Sequence, residues 1–229
     1  MKKVIITGAN GALGTAVTNK FISEGYTVIA AVGRTASVSE LPVHDRLEVH
    51  AVDLTDENAA GDFVRDAISA HGRIDAALLL VGGYDYGDLA STSGELLRKQ
   101  FSLNFESAYF VARPLWDHFT ANHYGRLVFI GSRTAIVPAQ ARHSLAYALS
   151  KNLLFTFAEA LNQSVKGANI TATVVAPSTI DTEANRKLMP DADPSKWVAP
   201  SQLADILEFI VSDKGDPLRE SVYKVYGNA

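Results

Sequence analysis

The sequence has no cysteine among its 229 residues. Disulfide bonds, thiolate catalysis and cysteine-ligated metal sites are therefore excluded. The sequence also lacks an apolar run near the ~18 residues that a membrane span requires, so we expect no membrane partner. Gly8 interrupts the apolar N-terminal run before it reaches the length of a signal peptide, and a cytoplasmic location is the default expectation.

Charge of one sign is not concentrated along the chain. The 21 Lys and Arg residues are outnumbered by 25 Asp and Glu residues, the formal net charge is −4, and no basic stripe stands out, so we expect no nucleic-acid partner. The six histidines lack the spacing of a metal site, so no metal is expected. The length and the 47% of hydrophobic residues suit one globular domain with a sizeable core.

Short apolar runs alternate with segments of helical periodicity along the whole chain. The predicted strands are Val4–Ile6, Thr27–Val32, Leu47–Val52, Ala76–Val81, Arg126–Ile130, Ile170–Ala176 and Ser221–Tyr226. Between them lie predicted helices, including a long one over Glu95–Thr120 that Pro114 can kink, and one that Ser201 caps. The alternation predicts an α/β fold: one Rossmann-type domain, residues 1–229, with a doubly wound parallel sheet of about seven strands.

A loop rich in Pro, Asp and Asn follows the sixth predicted strand, over about residues 178–199. Loops of this length are uncommon inside compact domains and are often functional. Ligands of such folds bind beyond the carboxyl ends of the strands, where this loop begins. We interpret it as a mobile substrate lid, and a surface excursion without function is the alternative.

A glycine turn, Thr7–Gly14, joins the first predicted strand to the first helix, with Gly8, Gly11 and Gly14 at steps of three. Such glycines allow a tight turn and a close approach to a pyrophosphate, which the helix N-terminus attracts. A purely structural turn is the alternative. No Gly-Lys-[Ser/Thr] follows, which disfavours a P-loop kinase, and no Gly-x-Ser-x-Gly elbow exists, which disfavours a serine hydrolase.

The second predicted strand ends without the acidic residue that holds the ribose of NAD, since no acid lies between Glu24 and Glu40. Arg34 stands there instead, and a guanidinium suits a 2′-phosphate. This favours NADP(H) over NAD(H), although Arg34 can equally be an ordinary solvated arginine. Asp53, after the third strand, can lie at the adenine edge or cap the next helix.

Tyr147 and Lys151 are four residues apart in a predicted helix, so their side chains share one face. A free tyrosine is a poor proton donor at neutral pH, and a neighbouring cation would lower its pKa toward the working range. The pair is therefore a candidate proton-transfer device. A core tyrosine beside a solvated lysine is the alternative.

Five motifs follow one another along the chain: Thr7–Gly14, Asp53-Leu54, Asn104, Ser132 and Tyr147-x-x-x-Lys151. In order and spacing they resemble the short-chain dehydrogenase/reductase family. The resemblance implies that Tyr147 donates a proton to a carbonyl or imine and that Lys151 lowers its pKa and binds the nicotinamide ribose. It implies that Ser132 hydrogen-bonds the reacting oxygen, that Asn104 holds a relay water, and that the protein is a homodimer or homotetramer.

The resemblance also implies a set of cofactor contacts from the turn and the strand ends. Together with Tyr147 and Lys151, these are Gly8, Asn10, Gly11, Ala12, Leu13, Gly14, Arg34, Asp53, Leu54, Gly82, Pro177 and Thr182. Candidate contacts to a small-molecule substrate are Tyr84, His143 and Trp197. Tyr84 and Tyr86 can stack on a flat ring or simply pack.

Three segments depart from the family's main branch: Gly11–Gly14, Val81-Gly82-Gly83 and Ile180–Asp193. They look like the quinonoid dihydropteridine reductase branch, although Ser132 and the missing acid after the second strand do not. We therefore expect an NADP(H)-dependent reductase of a small carbonyl or imine, and in its sharper form of a quinonoid dihydropterin-like compound. The alternatives are a non-catalytic dinucleotide-binding or regulatory protein and a structural oligomer on the same fold.

Overall fold

The computed structural model describes residues 1–33 and 35–228, without the side chains of residues 35–37. Within this described part, seven strands form one parallel sheet in the order β3-β2-β1-β4-β5-β6-β7. The strands are β1 Lys3–Thr7, β2 Thr27–Val32, β3 Leu47–Ala51, β4 Ala76–Leu79, β5 Tyr124–Ile130, β6 Asn169–Pro177 and β7 Val222–Val225. The sequence-based prediction of a single α/β domain of Rossmann type is confirmed.

Helices cover both faces of this sheet. They are α1 Ala12–Ser23, α2 Glu57–His71, α3 Gly94–Phe101, α4 Ser107–Asn122, α5 Arg133–Ile136, α6 Pro138–Ala141, α7 Leu145–Ser164, α8 Glu183–Leu188 and α9 Pro200–Val211. None of the helices in the described residues is long and apolar enough to cross a membrane.

Alternation along the strands builds two apolar layers. In β1, Ile5 packs on the side of α2, α4 and α7, whereas Val4 and Ile6 pack on the side of α1 and α9. Successive side chains of a strand point to opposite faces, so a strand covered on both faces is apolar throughout. This is why β4 reads as the unbroken run Ala-Ala-Leu-Leu.

The long predicted helix is divided at a different place from the one expected. The chain continues as α4 through Pro114, and the irregularity is a π-helical turn, Ser102–Glu106, between α3 and α4. Such turns are frequent at functional sites, and this one contains Asn104.

The predicted cap of one helix is wrong, and one of the two alternatives for Asp53 is excluded. Helix α9 begins at Pro200 after Ala199, whose N–H donates to the side chain of Gln202, so Ser201 lies inside the helix. Helix α2 is capped by Asp56, whose carboxylate accepts the N–H groups of Asn58 and Ala59. Asp53 therefore does not cap it. The predicted lid is not structureless either, because it contains α8, a 3₁₀ turn at Pro194–Lys196 and a bridge between Ile180 and Val198.

Candidate active site

The glycine turn joins β1 to α1 at the carboxyl edge of the sheet. Gly8 has φ +64°, and a Cβ there would approach the backbone of Val81. A Cβ on Gly14 would lie 2.1 Å from the carbonyl oxygen of Gly8, so only glycine lets the helix start this close to the turn. Gly11 precedes α1 and offers no side chain to cap it, which leaves the first N–H groups of the helix for an anion.

Asn10, within this turn, donates its side-chain amide to a carboxylate oxygen of Glu40 at 2.9 Å. Glu40 ends the 3₁₀ turn Thr35–Glu40 that follows β2. The structure therefore brings an acidic residue, Glu40, to the glycine turn. The sequence at the end of β2 alone does not indicate this acid. Arg34 lies outside the described residues.

A cavity of about 850 Å³ opens beside the turn, beyond the ends of β4, β5 and β6. Its wall includes Leu13, Gly82, Ser132, Tyr147, Lys151 and Pro177, all of which are predicted site residues. These residues come from distant parts of the chain and meet here because the carboxyl ends of parallel strands share one edge. The topology thus assembles one site.

Tyr147 and Lys151 lie one turn apart on α7, as predicted. Tyr147 is half-buried, and burial raises the pKa of its phenol, while a hydrogen bond with Ser132 acts in the opposite direction. Lys151 is 4% exposed and donates its Nζ to the carbonyl oxygen of Ile130 at 2.9 Å. Burial lowers the pKa of Lys151 to about 8.

The pKa of Tyr147 is raised overall, because burial outweighs the lowering that was expected from Lys151, and the effect of Lys151 on the phenolate stays a prediction. The ammonium group bonds a backbone carbonyl, and desolvation dominates the phenol. The phenol is consequently protonated at neutral pH. It can act as a proton donor, and Ser132 lines the same cavity.

Asn104 is fully buried and joins three elements next to Gly83, which lines the cavity. Its Oδ1 accepts the N–H of Gly83 at 2.9 Å, and its Nδ2 donates to the carbonyl oxygen of Gly83 at 3.0 Å. The same Nδ2 lies 2.8 Å from Oε1 of Gln100 and 3.1 Å from Oγ of Ser150 on α7. Asn104 thus braces the turn after β4, and its role as a water holder stays a prediction.

Gly82 sits between two site residues. A Cβ at this position would lie 2.8 Å from Oδ1 of Asn104 and 2.8 Å from Nζ of Lys151. The absence of a side chain therefore lets the turn, the π-helical segment and α7 approach one another. This contact explains the glycine that follows the apolar run Leu79-Leu80-Val81.

Aromatic residues lie on the open side of the cavity. The rings of Tyr84 and Tyr147 meet edge to face at 5.0 Å. Tyr86 also lines the cavity, and its ring stacks on His143 at 6.2 Å with an interplanar angle of 12°. His143 is thus close to the site without lining it.

Several predicted contacts lie elsewhere. Trp197 and Thr182 do not line the cavity, and the hydroxyl of Thr182 accepts the N–H of Asn185 as the cap of α8. Asp53 is exposed and its carboxylate accepts hydrogen bonds from Thr55, which holds the pKa of Asp53 below its usual range. Leu54 is buried in the core layer beside α2.

Arg133 lines the cavity and has no counterpart among the predicted site residues. It follows Ser132 directly, so adjacency to a catalytic candidate was its only signal in the sequence. Leu188 and Met189, at the end of α8, also line the cavity. Among the described residues, no group of three or more His, Asp or Glu could hold a metal ion.

The fold and its glycine turn define a dinucleotide-binding protein of Rossmann type. A family model described as short chain dehydrogenase matches residues 2–193. The chain therefore belongs to the short-chain dehydrogenase/reductase family of oxidoreductases.

Individual relatives are distant. A "Dehydrogenase/reductase SDR family protein 7-like" of Anopheles gambiae is 29% identical over 194 residues, which are 79% of this chain and 60% of that protein. The solved structure "ElxO with NADP Bound" superposes with a TM-score of 0.92 at 19% identity, covering 99% of this chain and 97% of that one. A 3-ketoacyl-(acyl-carrier-protein) reductase from Brucella melitensis, complexed with NADH, gives 0.88 at 19% identity with the same coverage. At this identity the two structures establish the fold alone.

Proposed function

We propose that this oxidoreductase reduces a small carbonyl or imine substrate with a nicotinamide dinucleotide, and that Tyr147 is the proton donor. The observation that carries the proposal is that Ser132, Tyr147 and the buried Lys151 line one cavity next to the glycine turn. A protein that only binds a dinucleotide has no need of a positioned proton donor, so we favour the enzyme.

The residues present fit the cofactor. Gly8, Gly11 and Gly14 would hold its pyrophosphate at the start of α1, and Lys151 would face its nicotinamide ribose. When bound, the nicotinamide supplies the hydride.

The chain's own residues manage the proton. Tyr147 holds it at the phenol oxygen, because burial keeps the phenol neutral, and transfers it to the substrate oxygen or nitrogen as negative charge develops there. The Ser132 hydroxyl, fixed by the N–H of Thr134 at 3.1 Å, orients the same heteroatom. The charge of Lys151 stabilises the phenolate that remains.

We further propose that NADP(H) is preferred over NAD(H). The support is in the sequence: Arg34 follows β2 where an acid would hold the ribose of NAD. Glu40 acts against this preference, since its carboxylate lies at Asn10 of the turn. The balance between these two residues decides the cofactor.

A quinonoid dihydropterin-like compound is the finer proposal for the substrate. Its support is the likeness of residues 180–193 to that branch and the presence of Tyr84 and Tyr86 in the cavity wall, where they can stack on a flat ring. We also propose that residues 178–199 act as a lid, since Leu188 and Met189 of this segment line the cavity. A homodimer or homotetramer is proposed through α4 and α7, which expose Tyr109 and Leu149.

The decisive experiment measures NADPH oxidation with a panel of quinonoid dihydropterins, aldehydes and ketones. Tyr147→Phe should reduce kcat on the order of 100-fold or more, because the variant has no proton to transfer. Tyr223→Phe, on β7 outside the cavity wall, is the matched control and should keep full activity. Tight NADPH binding without turnover of any compound would instead favour the binding protein.

A further inference from the structure

Arg133 is a cation at the cavity wall that the proposed chemistry does not use. It is half-buried, and none of its side-chain N–H groups donates a hydrogen bond to a described residue. Its Nε is shielded from solvent, and its guanidinium lies 4.9 Å from the centre of the Tyr226 ring. Arg126, which is 1% exposed, also has an Nε without a partner among the described residues, but its terminal N–H groups donate to Asn169 and to Asp216. The terminal N–H groups of Arg133 donate to no described residue, and this distinguishes it from Arg126.

An unpaired guanidinium in a partly desolvated wall is costly, and a contact with an aromatic face offsets that cost only in part. The described wall of the cavity contains no Asp or Glu, whereas it contains Arg133 and Lys151. The cavity is thus a positive site within a chain of formal net charge −4. Such a site selects an anionic ligand.

On the basis of the function proposed above, we propose that Arg133 binds a carboxylate group of the substrate. A guanidinium presents parallel N–H groups that match the two oxygens of a carboxylate. Because Arg133 follows Ser132 directly, the carboxylate would lie within a few bonds of the carbon that is reduced. Tyr84, Tyr86 and Met189 leave an aromatic and apolar wall for the rest of the molecule. This narrows the carbonyl or imine substrate to an oxo or imino acid that carries a flat or apolar group, and it competes with the dihydropterin-like compound proposed above, whose ring carries no carboxylate.

The binding test uses the protein loaded with NADPH and compares benzoate with benzamide by calorimetry. The wild type should bind benzoate about tenfold more tightly, as expected for a charge-assisted pair. Arg133→Met should remove this preference, and Arg133→Lys should keep part of it, since the charge remains without the fork. Arg98→Met removes the same charge from an exposed position of α3 outside the cavity wall and should leave the preference intact.

Absence of a preference in the wild type, including failure to bind either compound, would overturn the proposal whether or not Arg133→Met folds. A kinetic comparison separates this proposal from the proposed function. The expected result is that Arg133→Met raises KM for phenylglyoxylate about tenfold more than it raises KM for its methyl ester. Equal KM values for acid and ester in an active wild type would refute the carboxylate site alone. A clear preference for benzoate without turnover of any carbonyl compound would support the site and count against the reductase.

Discussion

Lys151 holds a charge inside the protein, and the pH dependence of stability should reveal it. Burial lowers the pKa of this residue from 10.5 to about 8. The folded protein therefore binds fewer protons than the unfolded chain between these two values, so stability rises with pH across this window. At one pKa unit per 1.4 kcal/mol, the whole shift corresponds to roughly 3 kcal/mol.

The perturbation is Lys151→Met, which removes the titrating group and keeps an unbranched apolar side chain. Between roughly pH 7 and 9.5, the wild type should gain about 2 kcal/mol of unfolding free energy relative to the variant. Lys151→Met can also lose about 1–3 kcal/mol of stability, because it leaves the carbonyl of Ile130 unbonded. That loss does not vary with pH, so the difference in unfolding free energy still changes with pH in the same direction.

Urea unfolding followed by circular dichroism, at a series of pH values, measures the difference. Lys166→Met is the control, because Lys166 is an exposed lysine just after α7, and its difference from the wild type should not change over this range. A difference between wild type and Lys151→Met that stays flat with pH would refute the reasoning. Loss of activity in Lys151→Met with the fold retained would show in addition that Lys151 is needed for catalysis.

Two further predictions concern the cofactor and the turn after β4. Arg34→Asp should reverse a preference for NADPH over NADH, and Glu40→Gln should increase the preference for NADPH. The dissociation constants of NADPH and NADH measure both effects. Equal affinities in the wild type would contradict the proposed preference. Gly82→Ala places a methyl group 2.8 Å from both Lys151 Nζ and Asn104 Oδ1. Because this displaces two site residues, kcat should fall on the order of 100-fold with a modest change in Tm. An active, well-folded variant would argue against this packing.

Patterns that depend on the backbone could be predicted from the sequence. The boundaries of β2, Thr27–Val32, agree with the apolar run, and the glycine turn lies at the first strand–helix junction as expected. Both follow from local rules: alternation in strands and the steric freedom of glycine. The meeting of Ser132 with Tyr147 in one cavity follows from the parallel topology.

Features that depend on what surrounds a side chain could not be predicted. The cap of α9 depends on Gln202 rather than on Ser201, and the irregular turn lies at Asn104 rather than at Pro114. The pKa of Tyr147 rises because of burial, although the spacing to Lys151 alone suggested a fall. Each outcome depends on distances between segments that the order of residues does not contain.

The turn after β4 and the π-helical turn that contains Asn104 have a common explanation. The turn Val81-Gly82-Gly83 lacks polar side chains, and its backbone is held instead by Asn104 across the sheet edge. This arrangement requires a glycine at position 82, because the amide of Asn104 and the ammonium of Lys151 approach the same point. Bracing therefore comes from helices that carry catalytic candidates, and a change in the turn should alter the position of those candidates. Arg133 differs from them, since its side-chain N–H groups donate to none of the residues that the structure describes, and a cation without such a partner is the feature that a ligand can complete.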